Sequence, residues 1–253
     1  MKIQYASDLH LEYEENRNYL RQHPIQKSGD ILILAGDITY LNAETIKAFS
    51  FLEGLPDYEG IYLIPGNHEF YLKSIDVSSV LNGYEQQVGE NSYYLNNKTI
   101  YFSDKVRILF TTLWTQLENE ELAESMFSDF DMSHFQGRRF TAKDYNYCHQ
   151  VCSDFLENEL SSPFPGKTVI VSHHSPFPAS YLPYPFKMNH EQLLHVDMRY
   201  LIEKYPVDHW IYGHVHANFG TKKISNTLFH TNQLGYVYRN HHRGYVHDAF
   251  FEV

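Results

Sequence analysis

Cysteine is nearly absent from this chain, as are long apolar runs and any excess of positive charge. Only Cys148 and Cys152 occur among the 253 residues. They sit one turn apart on one face of an expected helix, which excludes the disulfide framework of small secreted domains and reads as packing thiols in a reducing compartment. No stretch approaches the roughly 20 apolar residues of a membrane span, and no basic segment followed by an apolar one opens the chain. The expectation is a soluble, cytoplasmic protein without a membrane partner. Basic residues number 20 against 31 acidic ones, a formal charge of -11, which repels phosphate backbones and makes nucleic acid an unlikely partner. Repeats, low-complexity tracts and Gly/Ser/Pro linkers are also missing, so a single domain over residues 1–253 is expected. Oligomeric state is not legible.

Apolar residues make up 43% and aromatics 16% of the chain, enough for a large core. Short β-branched-rich runs recur at residues 3–6, 31–34, 61–64, 106–112, 168–172 and 209–212. Continuous apolarity, as in ILILAG, predicts strands buried on both faces. Helical spacing appears at 43–52, 120–127, 143–160 and 191–205, and the alternation implies a layered α/β architecture. Residues 222–253 read as further strands completing the sheets.

The predicted strands end in one chemical vocabulary. The first runs out at Asp8-Leu9-His10, the second at Gly36-Asp37, the third at Gly66-Asn67-His68-Glu69, and later ones at His173-His174 and Gly213-His214-Val215-His216. Residues two apart on a strand share a face, so Asp8 and His10 can converge on one object. Ligands of open α/β sheets bind beyond the carboxyl ends of the strands, where five such endings would meet. Gly36, Gly66 and Gly213 each precede a polar group, where a tight turn or positive φ would swing it toward an ion. Carboxylate, imidazole and one amide without thiolate suit manganese, iron or zinc better than calcium or magnesium. Seven protein ligands exceed what one ion takes, so two ions sharing a bridging carboxylate is the economical arrangement.

The ordered series DLH, GD, GNHE, HH and GHVH, from Asp8 to His216, resembles the calcineurin-like metallophosphoesterases. That resemblance implies an α/β four-layer sandwich of two mixed β-sheets flanked by helices. It also implies that Asp8, His10 and His216 hold one metal, that Asp37 bridges, and that Asn67, His173 and His214 complete the second. His68 would protonate the leaving oxygen or stabilise charge on the phosphoryl group. His173 is preferred over His174, which would lie nearer the substrate or behind a ligand. The implied activity is hydrolysis of a small phosphate ester by a metal-bridging hydroxide. Small phosphodiesters or nucleotides are favoured, with a phosphomonoesterase or nuclease of the same family as alternatives. From another class, a noncatalytic metal-loaded binding module is the alternative.

Departures from the family's protein phosphatases narrow this. The stretches Gly36-Asp37-Ile38-Thr39-Tyr40-Leu41-Asn42 and Ile64-Pro65-Gly66-Asn67-His68-Glu69 lack their Asp-Arg-Gly element and preceding Arg, which disfavours a phosphoprotein substrate. The carboxylate that partners the catalytic His in those enzymes has no counterpart either, so the orientation of His68 is unaccounted for. The Pro- and aromatic-rich segment 175–186 reads equally as a wall for a flat leaving group or as a packed loop. Glu12, Glu14 and Glu15 read as a solvated loop. His230, His241, His242 and His247 read as surface or packing residues, and Trp114 as core.

Overall fold

The computed structural model describes residues 1–41, 54–73, 75–181 and 191–253. The helix expected over 43–52 lies outside the described residues. Strands β1 (Lys2–Ala6), β2 (Ile31–Ala35), β3 (Gly60–Ile64), β4 (Tyr84–Gln87) and β5 (Ser92–Asn96) belong to one sheet, and β6 (Lys98–Phe102) and β7 (Val106–Thr111) begin a second. A small ribbon, β8 (His134–Phe135) and β9 (Arg138–Arg139), intervenes. Strands β10 (Lys167–Ser172), β11 (His209–Ile211), β12 (Lys222–Ile224) and β13 (Thr227–His230) complete the second sheet, and β14 (Phe250–Glu252) returns to the edge of the first.

Each sheet has six strands, ordered β14-β1-β2-β3-β5-β4 and β12-β13-β11-β10-β7-β6. In both, four parallel strands are flanked by antiparallel edges. The continuous apolar runs follow from double burial. Ile31, Ile33 and Ala35 face Val106, Ile108, Val169 and Val171 of the other sheet, while Leu32 and Leu34 pack outward with Leu20 and Ile25. On the far side, Leu109, Ile170 and Trp210 pack against Leu156, Leu160 and Leu201. Such two-faced burial is what a central parallel strand demands.

The described helices are α1 (Glu14–Gln22), α2 (Glu120–Met126), α3 (Asp129–Met132), α4 (Ala142–Ser161), α5 (Glu191–Leu194) and α6 (Arg199–Lys204). A capping box, Thr141 with Asp144, starts α4. Its buried face carries Cys148 and Cys152, both free thiols, beside Trp114, Phe130 and Phe140. The single helix expected over 191–205 is instead two. Residues 175 and 176 capture its middle through Val196 N–H to Ser175 O at 3.0 Å and Met198 N–H to Pro176 O at 2.9 Å, which removes amides an uninterrupted helix would use. Helix α1 was not expected: Glu14 and Glu15 form its exposed first turn rather than a loop, where acidic groups suit the helix dipole. Among the described residues no helix is long and apolar enough to cross a membrane.

Candidate active site

The side chains at the strand ends converge through turns rather than through strand alternation. Strand β1 stops at Ala6, and Asp8 and His10 have left-handed φ of 55° and 46°. Asp37, His214 and His216 are also left-handed, at 54°, 71° and 47°. Five non-glycine residues of one site in that region represent stored strain, on the order of 1 kcal/mol or more each, which the surrounding structure must hold. Among the three glycines, only Gly36 has a positive φ, 89°. Gly66 and Gly213 serve close approach instead: a Cβ on Gly213 would lie 2.7 Å from Asp8 Oδ2, and one on Gly66 would overlap Asp37 Oδ1.

Two donor groups form and share Asp37. In the first, the ligating atoms of Asp8, His10, Asp37 and His216 all lie within 4.8 Å of one another, as do those of Asp37, His173 and His214 in the second. His10 Nε2 is 3.0 Å from His216 Nε2, and His216 Nε2 is 3.2 Å from Asp8 Oδ1. His173 Nε2 is 3.1 Å from His214 Nδ1, 3.3 Å from Asn67 Oδ1 and 3.4 Å from Asp37 Oδ1. Donors at roughly 2.1 Å from one ion are spaced by roughly 3.0–3.4 Å at tetrahedral or octahedral angles. The observed separations match such spacings in both groups, so the residues fit a pair of metal ions.

The outer nitrogen of every histidine in the two groups is occupied. His173 Nδ1 donates to Ala35 O at 2.9 Å, His214 Nε2 to Leu193 O at 3.1 Å and His10 Nδ1 to Glu12 Oε1 at 2.9 Å, while His216 Nδ1 meets His241 Nδ1 at 3.1 Å. The three contacts to oxygen place N–H on the outer nitrogen and turn the other nitrogen inward, whereas in the His216–His241 pair either nitrogen can be the donor. Asn67 is oriented in the same way: its Nδ2 donates to Tyr71 Oη, which donates to Asp129 Oδ2, so the amide oxygen faces His173.

Electrostatics agree with this donor set. Asp8 and Asp37 are fully buried. Burial alone would raise the Asp37 carboxyl, but His173, His68 and His10 hold it well below the usual range. Burial opposes a proton on His173, yet the charges of Asp37 and Asp8 outweigh it and raise the imidazole to about 9. Two ionised carboxylates in a dry site require positive charge nearby, which a divalent cation supplies.

Glu69 organises the turn below. Its Oε2 accepts the N–H groups of Asp37 and Gly66 at 2.9 and 2.7 Å, and its Oε1 those of Ile38 and Thr39 at 2.6 and 3.2 Å. One buried carboxylate thus ties the ends of β2 and β3 together.

Glu12 is no solvated loop residue. Its side chain is 7% exposed, and Oε1 accepts Nδ1–H from both His10 and His68 at 2.9 Å. This supplies His68 with the carboxylate partner for which the sequence offered no counterpart. The His68 ring stacks on Tyr71 at 4.5 Å, and its Nε2 lies 3.3 Å from Tyr236 Oη and 4.0 Å from Asp37 Oδ2. Burial disfavours its charged form, but Asp37 and Glu12 raise it to about 9.

Both nitrogens of His174 are taken, by Thr112 O at 3.2 Å and Tyr145 Oη at 3.1 Å. Its ring lies tilted against that of His214, with centroids 4.2 Å apart. Burial, reinforced by the charge of His173, lowers it to about 3. Trp114 packs beneath it at 5.4 Å and is core. His241, expected to be peripheral, touches His216, whereas His230 packs with His209 and Phe251. Phe177 is buried against Tyr212 and Phe229, so the described part of the aromatic segment packs onto the fold; residues 182–186 lie outside the described residues. Tyr236 and His241 had no signal in the sequence, since they follow β13 without a motif.

A family model for calcineurin-like phosphoesterases matches residues 1–218. The chain belongs to that family. This phosphoesterase is similar over 97% of its length, and over 95% of the relative's, to an uncharacterized protein of Acanthamoeba polyphaga mimivirus, with 29% identity. A bis(5'-nucleosyl)-tetraphosphatase (asymmetrical) of Bacillus subtilis is 24% identical over 70% of this chain and 80% of its own. Among solved structures, the phosphopantetheinyl hydrolase of Mycobacterium tuberculosis superposes with a TM-score of 0.68 at 17% identity, covering 100% of this chain and 95% of that one. The match shows a shared fold: two mixed six-stranded sheets with flanking helices.

Proposed function

We propose that this phosphoesterase, acting as one domain over residues 1–253, is a two-metal hydrolase of small phosphodiesters or nucleotides. The carrying observation is the pair of donor groups sharing Asp37. Asp8, His10 and His216 would hold one ion, Asn67, His173 and His214 the other, with Asp37 between them; manganese, iron or zinc suits the donors. Bound, such ions supply the Lewis acidity that brings water to hydroxide near neutral pH and neutralises phosphate oxygens. His68 sits beside that centre with Nε2 facing inward, where it gives a proton to the departing ester oxygen.

The preference for nucleotides or diesters rests on the wall next to His68. Tyr13, Tyr236 and Tyr238 lie 5.4–5.8 Å apart, centroid to centroid, and Tyr40 is 5.7 Å from the His68 ring. The Arg239 guanidinium stands 5.5 and 5.4 Å over Tyr236 and Tyr238. Aromatic faces with a cation suit a flat base or second phosphate, and the name of the Bacillus subtilis relative points the same way. Metal-restored protein should cleave bis(p-nitrophenyl) phosphate faster than p-nitrophenyl phosphate, and Tyr238→Ala should raise KM for a dinucleotide more than for either. Faster monoester cleavage would turn the assignment to a phosphomonoesterase.

A further inference from the structure

Glu12 lies outside the five strand-end motifs from which the sequence predicts the site. It lies four residues after Asp8, in the turn before α1, and its carboxylate joins His10 of the first donor group to His68 through two side-chain hydrogen bonds. A single oxygen, Oε1, accepts from both Nδ1 atoms at 2.9 Å, while Oε2 is buried with no hydrogen-bond partner among the described residues. The two imidazoles meet edge to face with centroids 4.5 Å apart. Turning either ring over would put Cδ2–H where Nδ1–H now meets the carboxylate and would move Nε2 out of its inward position.

We propose that Glu12 is a positioning residue that orients His10 and His68 together, each through its Nδ1–H, so that assembly of one donor group and orientation of the leaving-group acid depend on one carboxylate. The inference rests on the functional reading above for its catalytic half; its structural half stands on the hydrogen bonds alone. An anion is the right partner for two N–H donors on one oxygen, because charge-assisted bonds are about twice as strong as neutral ones and more directional. Glu12 acts through His68 and touches no reacting atom. Its removal must therefore harm the step that needs an acid more than the step that binds substrate.

The test uses the metal-restored full chain and four forms: wild type, Glu12→Ala, His68→Ala and the double variant, with Glu12→Gln as the variant that keeps side-chain volume. Loss of Glu12 should lower metal affinity about 10–100-fold, as loss of a ligand's outer hydrogen-bond partner does. At saturating metal, kcat should fall roughly 10²-fold with a phenyl leaving group and much less with p-nitrophenyl, which needs little protonation, while KM changes little. The double variant should lose no more than His68→Ala alone, because the two residues act as one unit. Glu12→Gln, whose amide oxygen can still accept both N–H groups, should recover part of the loss. Additive losses, or a loss blind to the leaving group, would overturn the proposal while leaving the functional reading in place. Absent wild-type turnover would defeat that reading instead. Nitrogen-15 spectra of the histidines in the metal-free protein would still decide the structural half: a protonated Nδ1 on both His10 and His68 supports it, and a bare Nδ1 on either overturns it.

Discussion

Asp37 Oδ1 accepts the backbone N–H of His68 at 2.9 Å. The carboxylate common to both donor groups therefore also anchors the residue proposed as the acid, and two substitutions should separate these roles. Asp37→Asn is expected to lose metal affinity by more than the ~10–100-fold cost of losing an outer hydrogen-bond partner, with turnover lost in parallel. His68→Ala should keep its metals and lose about 10²–10⁴-fold in kcat. Elemental analysis of both proteins beside their rates checks this; loss of metal from His68→Ala would show that the role is misassigned.

The Glu69 clamp has a different signature. Glu69→Gln turns one oxygen into an amide donor facing two of the four backbone N–H groups, at about 1–3 kcal/mol for each unsatisfied group. With about 2–4 °C per kcal/mol for a chain of this size, the melting temperature should drop by roughly 4–24 °C, and metal binding should weaken. An unchanged melting curve would mean that the clamp does not hold the turn.

Phe177 illustrates how the aromatic segment divides. Its ring centroid lies 5.2 Å from Tyr212 and 5.1 Å from Phe229, in the core outside the second sheet. Phe177→Ala should cost about 3–5 kcal/mol, readable by denaturant unfolding, while activity per folded molecule persists. A KM effect without loss of stability would instead place Phe177 at the substrate.

Acid should destabilise the metal-free protein through histidines buried in neutral form. Burial, helped by the charge of His209, lowers His230 to about 3, and burial lowers His195 to about 4. The unfolded chain binds these protons near pH 6.5 and the folded one does not, so their contribution is complete above pH 6.5 and is lost as pH falls toward 4. The slope is up to ~1.4 kcal/mol per pH unit for each group. Melting temperatures between pH 7 and 4.5 with chelator present should fall, and less steeply in His230→Phe, whose ring can stack on Phe251 as His230 does at 4.1 Å. Parallel slopes in the two proteins would contradict the assignment.

The residues of the two donor groups were legible because they follow predominantly apolar runs. ILILA can only be a strand buried on both sides, so the position of Asp37 beyond its end followed from elementary packing. Contacts made across the fold were not legible. Glu12 meets His68 across 56 residues, and Tyr236 Oη reaches His68 Nε2 across 168; composition carries no trace of either. The means of convergence was also misread. Strand alternation was expected to bring Asp8 and His10 together, whereas both occupy left-handed turns that tertiary contacts maintain against local preference. The break between α5 and α6 has the same origin, since backbone bonds from Ser175 and Pro176 override a helical pattern.

The most direct test of the two-metal claim is a chelator-stripped protein titrated with manganese, iron or zinc while bound metal and phosphodiester hydrolysis are followed together. The account predicts about two ions per chain, turnover rising with occupancy, and loss of both in Asp37→Asn. Hydrolysis that survives complete removal of metal, or saturation at a single ion with Asp37→Asn unaffected, would contradict it.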